Sequence, residues 1–291
     1  MDKFCLAINN KKLVIAPSES VYGVFADATC NDSLKKLKIY KQRSCHKPFG
    51  VVVGDLEILN QFFYVSSLEQ KLINNFWPGP LNLLLKPKKE KFAEGLNGNS
   101  KRFSVRIPDC KFLIDSLKSL KKPVLSPSAN FQNEFPIYLD SQLQIVTSDE
   151  IIVIKQDPDE KYLYESTLLL AEEELKILRS GPVTYLQLSN FLNKKIVNFP
   201  IDKYFQESNT EVIINVSNKN SFEFSDNKLV INISSLNRES VIWFNEEIFN
   251  YNFKLKSVDE YFISKNNYLF NPALCPLYER IIRRIEEQSY E

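Results

Sequence analysis

Residues 13–23 read LVIAPSESVYG, and this stretch sets the reading of the fold. Leu13–Ala16 is an apolar, β-branched run of the kind that forms a buried strand. It breaks at Pro17 into a loop with hydroxyls at Ser18 and Ser20, and Gly23 can take a tight turn. By local chemistry this is a strand-to-helix loop capped by serine. Working outward, short apolar runs recur at Val51–Val53, Leu81–Leu85, Phe103–Ile107 and Ile151–Ile154, alternating with helical patterns. That alternation predicts an α/β domain with a mixed sheet. Asp32–Tyr40 (DSLKKLKIY) opens with N-cap chemistry and spaces Leu34, Leu37 and Ile39 along a short amphipathic helix, which would deliver Lys41 and Arg43 at its end. Leu68–Phe76 predicts another helix, stopped by Pro78, Gly79 and Pro80 within FWPGPL (Phe76–Leu81).

The chain is expected to divide near residues 190–208. Val197–Thr210 (VNFPIDKYFQESNT) carries a proline and clustered polar residues, so residues 196–209 are expected to link a first domain, 1–195, to a smaller α/β domain, 210–291. In that second domain, Val212–Val216, Leu229–Ile233 and Val241–Phe244 predict strands. CPLYERIIRRIEEQ predicts a closing helix with Pro276 in its first turn, Leu277, Ile281, Ile282 and Ile285 on its buried face, and Glu279 paired with Arg283. No string within the second domain carries recognisable chemistry.

Composition narrows the function classes. The chain has 291 residues, of which 44% are hydrophobic, enough for real cores. Its 37 basic and 36 acidic residues leave a net charge of +1, so bulk charge does not mark a nucleic-acid binder. The five cysteines, Cys5, Cys30, Cys45, Cys110 and Cys275, are odd in number and form no C-x-x-C pair, which fits reduced thiols in a cytoplasm. Asn9, Asn10, Lys11 and Lys12 interrupt the N-terminal apolar run before it reaches signal-peptide or membrane length. The single histidine, His46, excludes most hydrolytic constellations and reads as a surface-loop residue. With seven glycines and neither a P-loop nor a Rossmann fingerprint, any nucleotide would be held by other means.

Several residues have the right chemistry for a site. Lys41, Arg43 and Lys47 within KQRSCHKP (Lys41–Pro48) are cations that could grip a triphosphate or belong to a solvated turn. Arg106, at a strand end before Pro108, fits a carboxylate anchor or a surface ion pair. Ser126, Ser128 and Asn130 in SPSAN alternate as neutral donors and acceptors along a strand end or tight loop. FWPGPL is more suited to shaping a turn than to binding.

In order from Pro17 to Gly181, the strings PSESVYG, KQRSCHKP, FWPGPL, SVRIP, SPSAN and ILRSG resemble the YrdC/TsaC family, the threonylcarbamoyl-AMP synthases. The resemblance implies a YrdC-like twisted mixed sheet with flanking helices. The smaller C-terminal α/β domain would be an addition like that of the longer synthases, although it is shorter than expected. It also implies that Lys41, Arg43 and Lys47 contact ATP phosphates, with Lys41 and Arg43 catalytic. Asn130 and Arg179 would bind the nucleotide, while Ser20, Arg106, Ser128 and Ser166 would bind L-threonine. The chain departs from the family pattern at three places. Val52 stands near where many members have histidine, Gln132 and Asn133 replace a serine-glycine pair, and Leu170 replaces an aspartate.

The implied reaction joins L-threonine, bicarbonate or carbon dioxide, and ATP into L-threonylcarbamoyl-AMP with release of pyrophosphate. The product would pass to a transferase that modifies adenosine 37 of ANN-decoding tRNAs. Magnesium would be held chiefly by phosphates and water, since no carboxylate cage is evident. The same resemblance leaves open a non-catalytic module that binds double-stranded RNA or the ribosome, a carbamoyl-adenylate enzyme of hydrogenase maturation, and an inactive paralogue retained for assembly.

Overall fold

A computed structural model describes residues 2–42, 49–88, 91–96, 100–131, 136–139, 141, 143, 148–155, 162, 164–194, 196–198, 210–216, 220–225, 228–233, 261–263 and 276–277. By contact the chain separates into two compact units, Met1–Glu165 and Ser166–Glu291. This division falls earlier than the boundary expected at residue 195.

The first unit is built on a mixed sheet. Strands β1 (Leu13–Pro17) and β2 (Tyr22–Asp27) are buried at every position and pair antiparallel, with Val14 opposite Phe25 and Pro17 opposite Tyr22. The Pro17–Gly23 loop therefore joins strand to strand, which corrects the expected strand-to-helix turn. The reason lies in YGVFA, whose apolar residues continue a strand buried on both faces. The loop's own serine chemistry closes a tight hairpin: the Ser18 hydroxyl donates to the Val21 carbonyl at 2.7 Å.

Strands β3 (Val51–Val52), β4 (Phe63–Tyr64), β5 (Leu81–Pro87), β6 (Phe103–Arg106), β7 (Val124–Leu125) and β8 (Ile151–Val153) complete this sheet in the order β5-β6-β3-β7-β2-β1-β8, with β4 paired to β5. β3 runs parallel to β6 and β8 parallel to β1, while the remaining pairs in this order are antiparallel. The mixed sheet expected from the sequence is present.

Helix α1 (Lys3–Asn9) is capped by Asp2, whose carboxylate accepts from the Cys5 N–H at 2.7 Å. It packs against α5 (Lys111–Leu120), with the rings of Phe4 and Phe112 edge to face at 5.8 Å. Phe4, Val14, Phe25, Val52, Leu117 and Val124 share one core cluster. Fully burying side chains of this size contributes roughly 1.5–3 kcal/mol each.

Helix α2 (Asn31–Lys41) begins one residue before the expected Asp32, and its N-cap is Cys30. Asp32 falls in the first turn, where its carboxylate pairs with Lys11 at 2.7 Å instead of capping. Helix α3 (Leu56–Phe62) is capped by Asp55. Helix α4 (Ser67–Phe76) opens with a reciprocal Ser66–Glu69 capping box and ends before Pro78, as the sequence predicts. In the turn that follows, a Cβ at Gly79 would come within 2.3 Å of the Phe76 carbonyl, and the Trp77 indole donates to the Leu81 carbonyl at 2.6 Å. FWPGPL thus shapes a turn, as expected.

In the second unit, β9 (Thr167–Ala171) and β10 (Leu175–Arg179) form an antiparallel pair, and α6 (Tyr185–Leu192) opens with a Thr184–Gln187 capping box. β11 (Val197–Asn198) pairs parallel with β10, so the first residues of the expected linker belong to a sheet. A second sheet comprises β12 (Thr210–Val216), β13 (Ser221–Ser225), β14 (Lys228–Ile233) and β15 (Tyr261–Ile263), in the order β13-β14-β12-β15. β12 and β14 contain the expected strands Val212–Val216 and Leu229–Ile233, whereas β13 and β15 had no counterpart in the sequence reading. Val241–Phe244, residues 199–209 and most of the expected closing helix lie outside the described residues; Pro276 and Leu277 are helical and buried.

Candidate active site

Among the described residues, the site residues expected in the first unit are tied together by a chain of contacts running from Arg106 to Lys41. Arg106 ends β6, opposite Val52 of β3, and its backbone carbonyl accepts from the Val53 N–H at 3.2 Å. The strand stops there because Pro108 cannot donate to a ladder. The Arg106 side chain does not make a surface ion pair. Its guanidinium donates to Oε1 of Glu19, with side-chain exposures of 9% for Arg106 and 0% for Glu19. Oε2 of Glu19 is buried and accepts no hydrogen bond among the described residues.

Glu19 sits in the β1–β2 hairpin loop, where the backbone fixes it from both sides. The Ser20 N–H faces the Ser18 hydroxyl oxygen at 3.4 Å, and the Glu19 carbonyl accepts from the Tyr162 N–H at 3.3 Å. Ser18 and Ser20 are both buried. The Ser18 hydroxyl donates within the turn and closes the hairpin; Ser20 is the serine of this loop that the sequence assigns to ligand contact.

Beyond the loop, the start of β2 is stitched to SPSAN. Ala129 N–H donates to the Tyr22 carbonyl and Val24 N–H to the Pro127 carbonyl, each at 2.8 Å, and Gly23 forms a bridge with Ser128. The expected alternation is visible in burial: Ser126, Ser128 and Asn130 are half-buried, while Pro127 and Ala129 are buried. Lys41, the last residue of α2, is 5% exposed and holds this segment from the other side. Its ammonium donates to the Ser128 carbonyl at 2.8 Å and to the Asn130 carbonyl. Next to it the Tyr40 hydroxyl donates to the Ala129 carbonyl at 3.0 Å, with the Tyr40 and Phe131 rings 5.6 Å apart. Lys41 is therefore not the end of a solvated turn. Arg43, Lys47, His46, Gln132 and Asn133 lie outside the described residues.

Ser166 and Arg179 belong to the second unit and contact each other. The Arg179 guanidinium reaches the Ser166 carbonyl through Nε at 2.9 Å and Nη2 at 2.6 Å. Beside them, the Thr167 hydroxyl donates to the Val183 carbonyl at 2.8 Å and accepts the Val183 N–H at 3.0 Å. Of the two single-residue departures, Val52 packs into the first unit's core and Leu170 is a half-buried strand residue opposite Lys176.

Glu19 is the functional candidate that the sequence reading passed over. Its signal was present in the chain: SES and SVR each place one formal charge in an otherwise uncharged string, and the two charges are opposite. Among the described residues, no three His, Cys, Asp or Glu side chains are grouped to hold a metal ion, and no helix is long and apolar enough to cross a membrane. Cys5, Cys30 and Cys110 form no disulfide.

A family model described as telomere recombination, covering Sua5, YciO and YrdC, matches residues 6–181 and so runs across the division at residue 165. A threonylcarbamoyl-AMP synthase of Wigglesworthia glossinidia brevipalpis is 28% identical over 182 residues, covering 62% of this chain and 92% of the relative. A putative threonylcarbamoyl-AMP synthase of Methanocaldococcus jannaschii is 30% identical over 189 residues, covering 62% and 86%. The crystal structure of P. abyssi Sua5 complexed with L-threonine superposes with a TM-score of 0.70 over 98% of this chain and 94% of its own. At 16% identity that likeness speaks to the fold alone, and its coverage takes in the C-terminal sheet. E. coli YciO covers 62% of this chain and 88% of its own with a TM-score of 0.54 at 18% identity. With the matched region holding the whole network from Arg106 to Lys41, the chain belongs to the Sua5/YciO/YrdC family.

Proposed function

We propose that this protein is an L-threonylcarbamoyl-AMP synthase. The observation that carries the reading is the network joining Arg106, the Ser18–Ser20 loop, SPSAN and Lys41, because it gathers a carboxylate-binding cation, neutral hydroxyls and a phosphate-binding cation in one unit. Within it, Arg106 orients the threonine carboxylate through N–H groups not given to Glu19, and Ser20 and Ser128 contact the rest of the amino acid. Asn130 holds the adenylate, and Lys41, Arg43 and Lys47 neutralise the phosphates.

In the reaction, the threonine amine adds to carbon dioxide, forming an N–C bond and releasing a proton. A carbamate oxygen then bonds to the α-phosphorus of ATP, and the α–β bridging bond breaks with its electron pair leaving on pyrophosphate. No covalent enzyme intermediate is needed; positioning and charge neutralisation supply the catalysis. Magnesium, held by the phosphates and water, would supply further neutralisation of phosphate charge. The product serves a transferase acting on tRNA in the cytoplasm. We assign catalysis to residues 1–195 and a small added domain to residues 210–291; of the linker between them, 196–209, Val197 and Asn198 pair with β10.

The test is pyrophosphate release from ATP by the purified protein, with threonine and bicarbonate supplied singly and together. Release that requires both, with an adenylate of the expected mass, is the expected result. No release in any mixture by folded protein that still binds ATP would sink the synthase reading in favour of an RNA-binding module. Lys41→Ala and Arg43→Ala should each lower the rate, and near-normal rates in both would remove the phosphate assignment.

A further inference from the structure

The mechanism above uses Arg106 and leaves Glu19 without a task, yet Glu19 is the most buried charged side chain of the site. A carboxylate at 0% exposure is costly to desolvate, and a buried ion pair is weak evidence for stability. The cost is greater here because only Oε1 is engaged, while Oε2 accepts nothing among the described residues. A pair kept solely for folding would satisfy both oxygens or be replaced by apolar side chains.

The pair does give definition to Arg106. A lone arginine at the end of a strand has freedom in its side-chain torsions, and a guanidinium binds a carboxylate well only when its planar fork is held in the right orientation. Glu19 takes one N–H of Nη1, and the hairpin turn fixes Glu19 in its place. The remaining guanidinium N–H groups make no hydrogen bond among the described residues. Glu19 also offsets the buried cation before substrate arrives, so the empty site need not hold an isolated charge.

We infer that Glu19 is a positioning residue that sets the Arg106 guanidinium for the carboxylate of the amino-acid substrate. This inference rests on the synthase reading. It places a specificity element in the PSES loop, separate from any hydroxyl contact made by Ser20.

The experiment compares wild type, Glu19→Gln, Glu19→Asp, Arg106→Ala and the Glu19→Gln/Arg106→Ala double variant. Steady-state synthesis is measured with threonine and ATP varied separately, and threonine binding is read by calorimetry. Glu19→Gln keeps the shape and removes the charge. The threonine KM should rise roughly 10- to 100-fold, with the ATP KM within about twofold and kcat changing less than the threonine KM. Glu19→Asp, with the charge retained, should recover part of the loss. The double variant should be no weaker for threonine than Arg106→Ala alone, since Glu19 acts through Arg106. A lowered melting temperature in both Glu19 variants with an unchanged threonine KM would mark Glu19 as structural and overturn the inference. Losses that multiply in the double variant would also overturn it, by showing that Glu19 acts apart from Arg106. If Glu19→Gln fails to fold, Glu19→Asp decides by the same KM comparison. A wild-type protein that neither turns over nor binds threonine overturns the synthase reading, and this inference with it; an active wild type with an indifferent Glu19→Gln overturns this inference alone.

Discussion

Two carboxylates near opposite ends of one hairpin strand are built differently. Asp27, at the end of β2, accepts from the Thr29 N–H at 2.8 Å and the Thr29 hydroxyl at 2.6 Å on one oxygen, and from the Lys122 ammonium at 2.7 Å on the other. Glu19, three residues before β2, is more deeply buried but has a donor on only one oxygen. Asp27 has the donor set expected of a structural carboxylate: each oxygen is engaged, and its cation at 26% exposure keeps a path to solvent. Glu19 has a partner that is itself buried and that the proposed function also assigns to the substrate carboxylate. Burial alone does not separate a structural charge from a functional one; the completeness of its hydrogen bonding does.

Arg106→Ala should break that comparison most violently. It leaves Glu19 fully buried with no cation, and removes the proposed carboxylate anchor. kcat/KM for threonine should fall about 100-fold or more, the scale expected when one member of a buried charge pair is truncated. Threonine dependence that matches wild type would take Arg106 out of the site and reduce the Glu19 pair to architecture.

Asp27→Ala tests the other side. It strips Thr29 of an acceptor for its N–H and hydroxyl, but Lys122 can turn to water. The expected loss is roughly 2–3 kcal/mol of stability, read from urea unfolding, with the threonine KM unchanged. A selective rise in threonine KM at full stability would mean that the two carboxylates do not divide into structure and function.

The same contrast explains what could be read from the chain. The mixed sheet was legible because Leu13–Ala16, Leu81–Leu85 and Phe103–Ile107 are apolar runs whose pattern needs no partner to recognise. The ordered strings made Ser20, Arg106, Ser128 and Lys41 candidates. Their linkage was not legible, because the Arg106–Glu19 pair joins residues 87 apart and the bonds from Lys41 go to backbone carbonyls, which any residue could supply. Local chemistry misled at two points for one physical reason. Ser18 can cap a helix or close a hairpin, and Asp32 can cap a helix or sit within its first turn; the pairing of β1 with β2, which brings Ser18 to the Val21 carbonyl, and the ion pair of Asp32 with Lys11 decide each case.

The smallest effect should come from Asp2, a third carboxylate, whose oxygens both have donors: the Cys5 N–H at 2.7 Å on Oδ1 and the Ser116 hydroxyl on Oδ2. Burial would raise its pKa, but the hydrogen bonds from Ser116 and Cys5 outweigh burial and hold it below its ordinary value of 3.8. A carboxylate depressed in the folded state stabilises it above the unfolded pKa, and that contribution is lost as pH falls through the folded value. Cys5 does not confuse the reading, since burial first, and then Asp2, push its thiol up to about 11, leaving it protonated through the acid and neutral range. Asp2→Ala should therefore cost about 1–2 kcal/mol at neutral pH, the usual worth of a helix cap, with no change in either substrate's KM. The gap from wild type should narrow as the urea titration is repeated at pH values descending through and below 3.8. A gap that stays constant to strong acid would mean that Asp2 acts by packing rather than as an ionised acceptor. In that case full occupancy of its oxygens would no longer be a sign of a structural carboxylate in this protein.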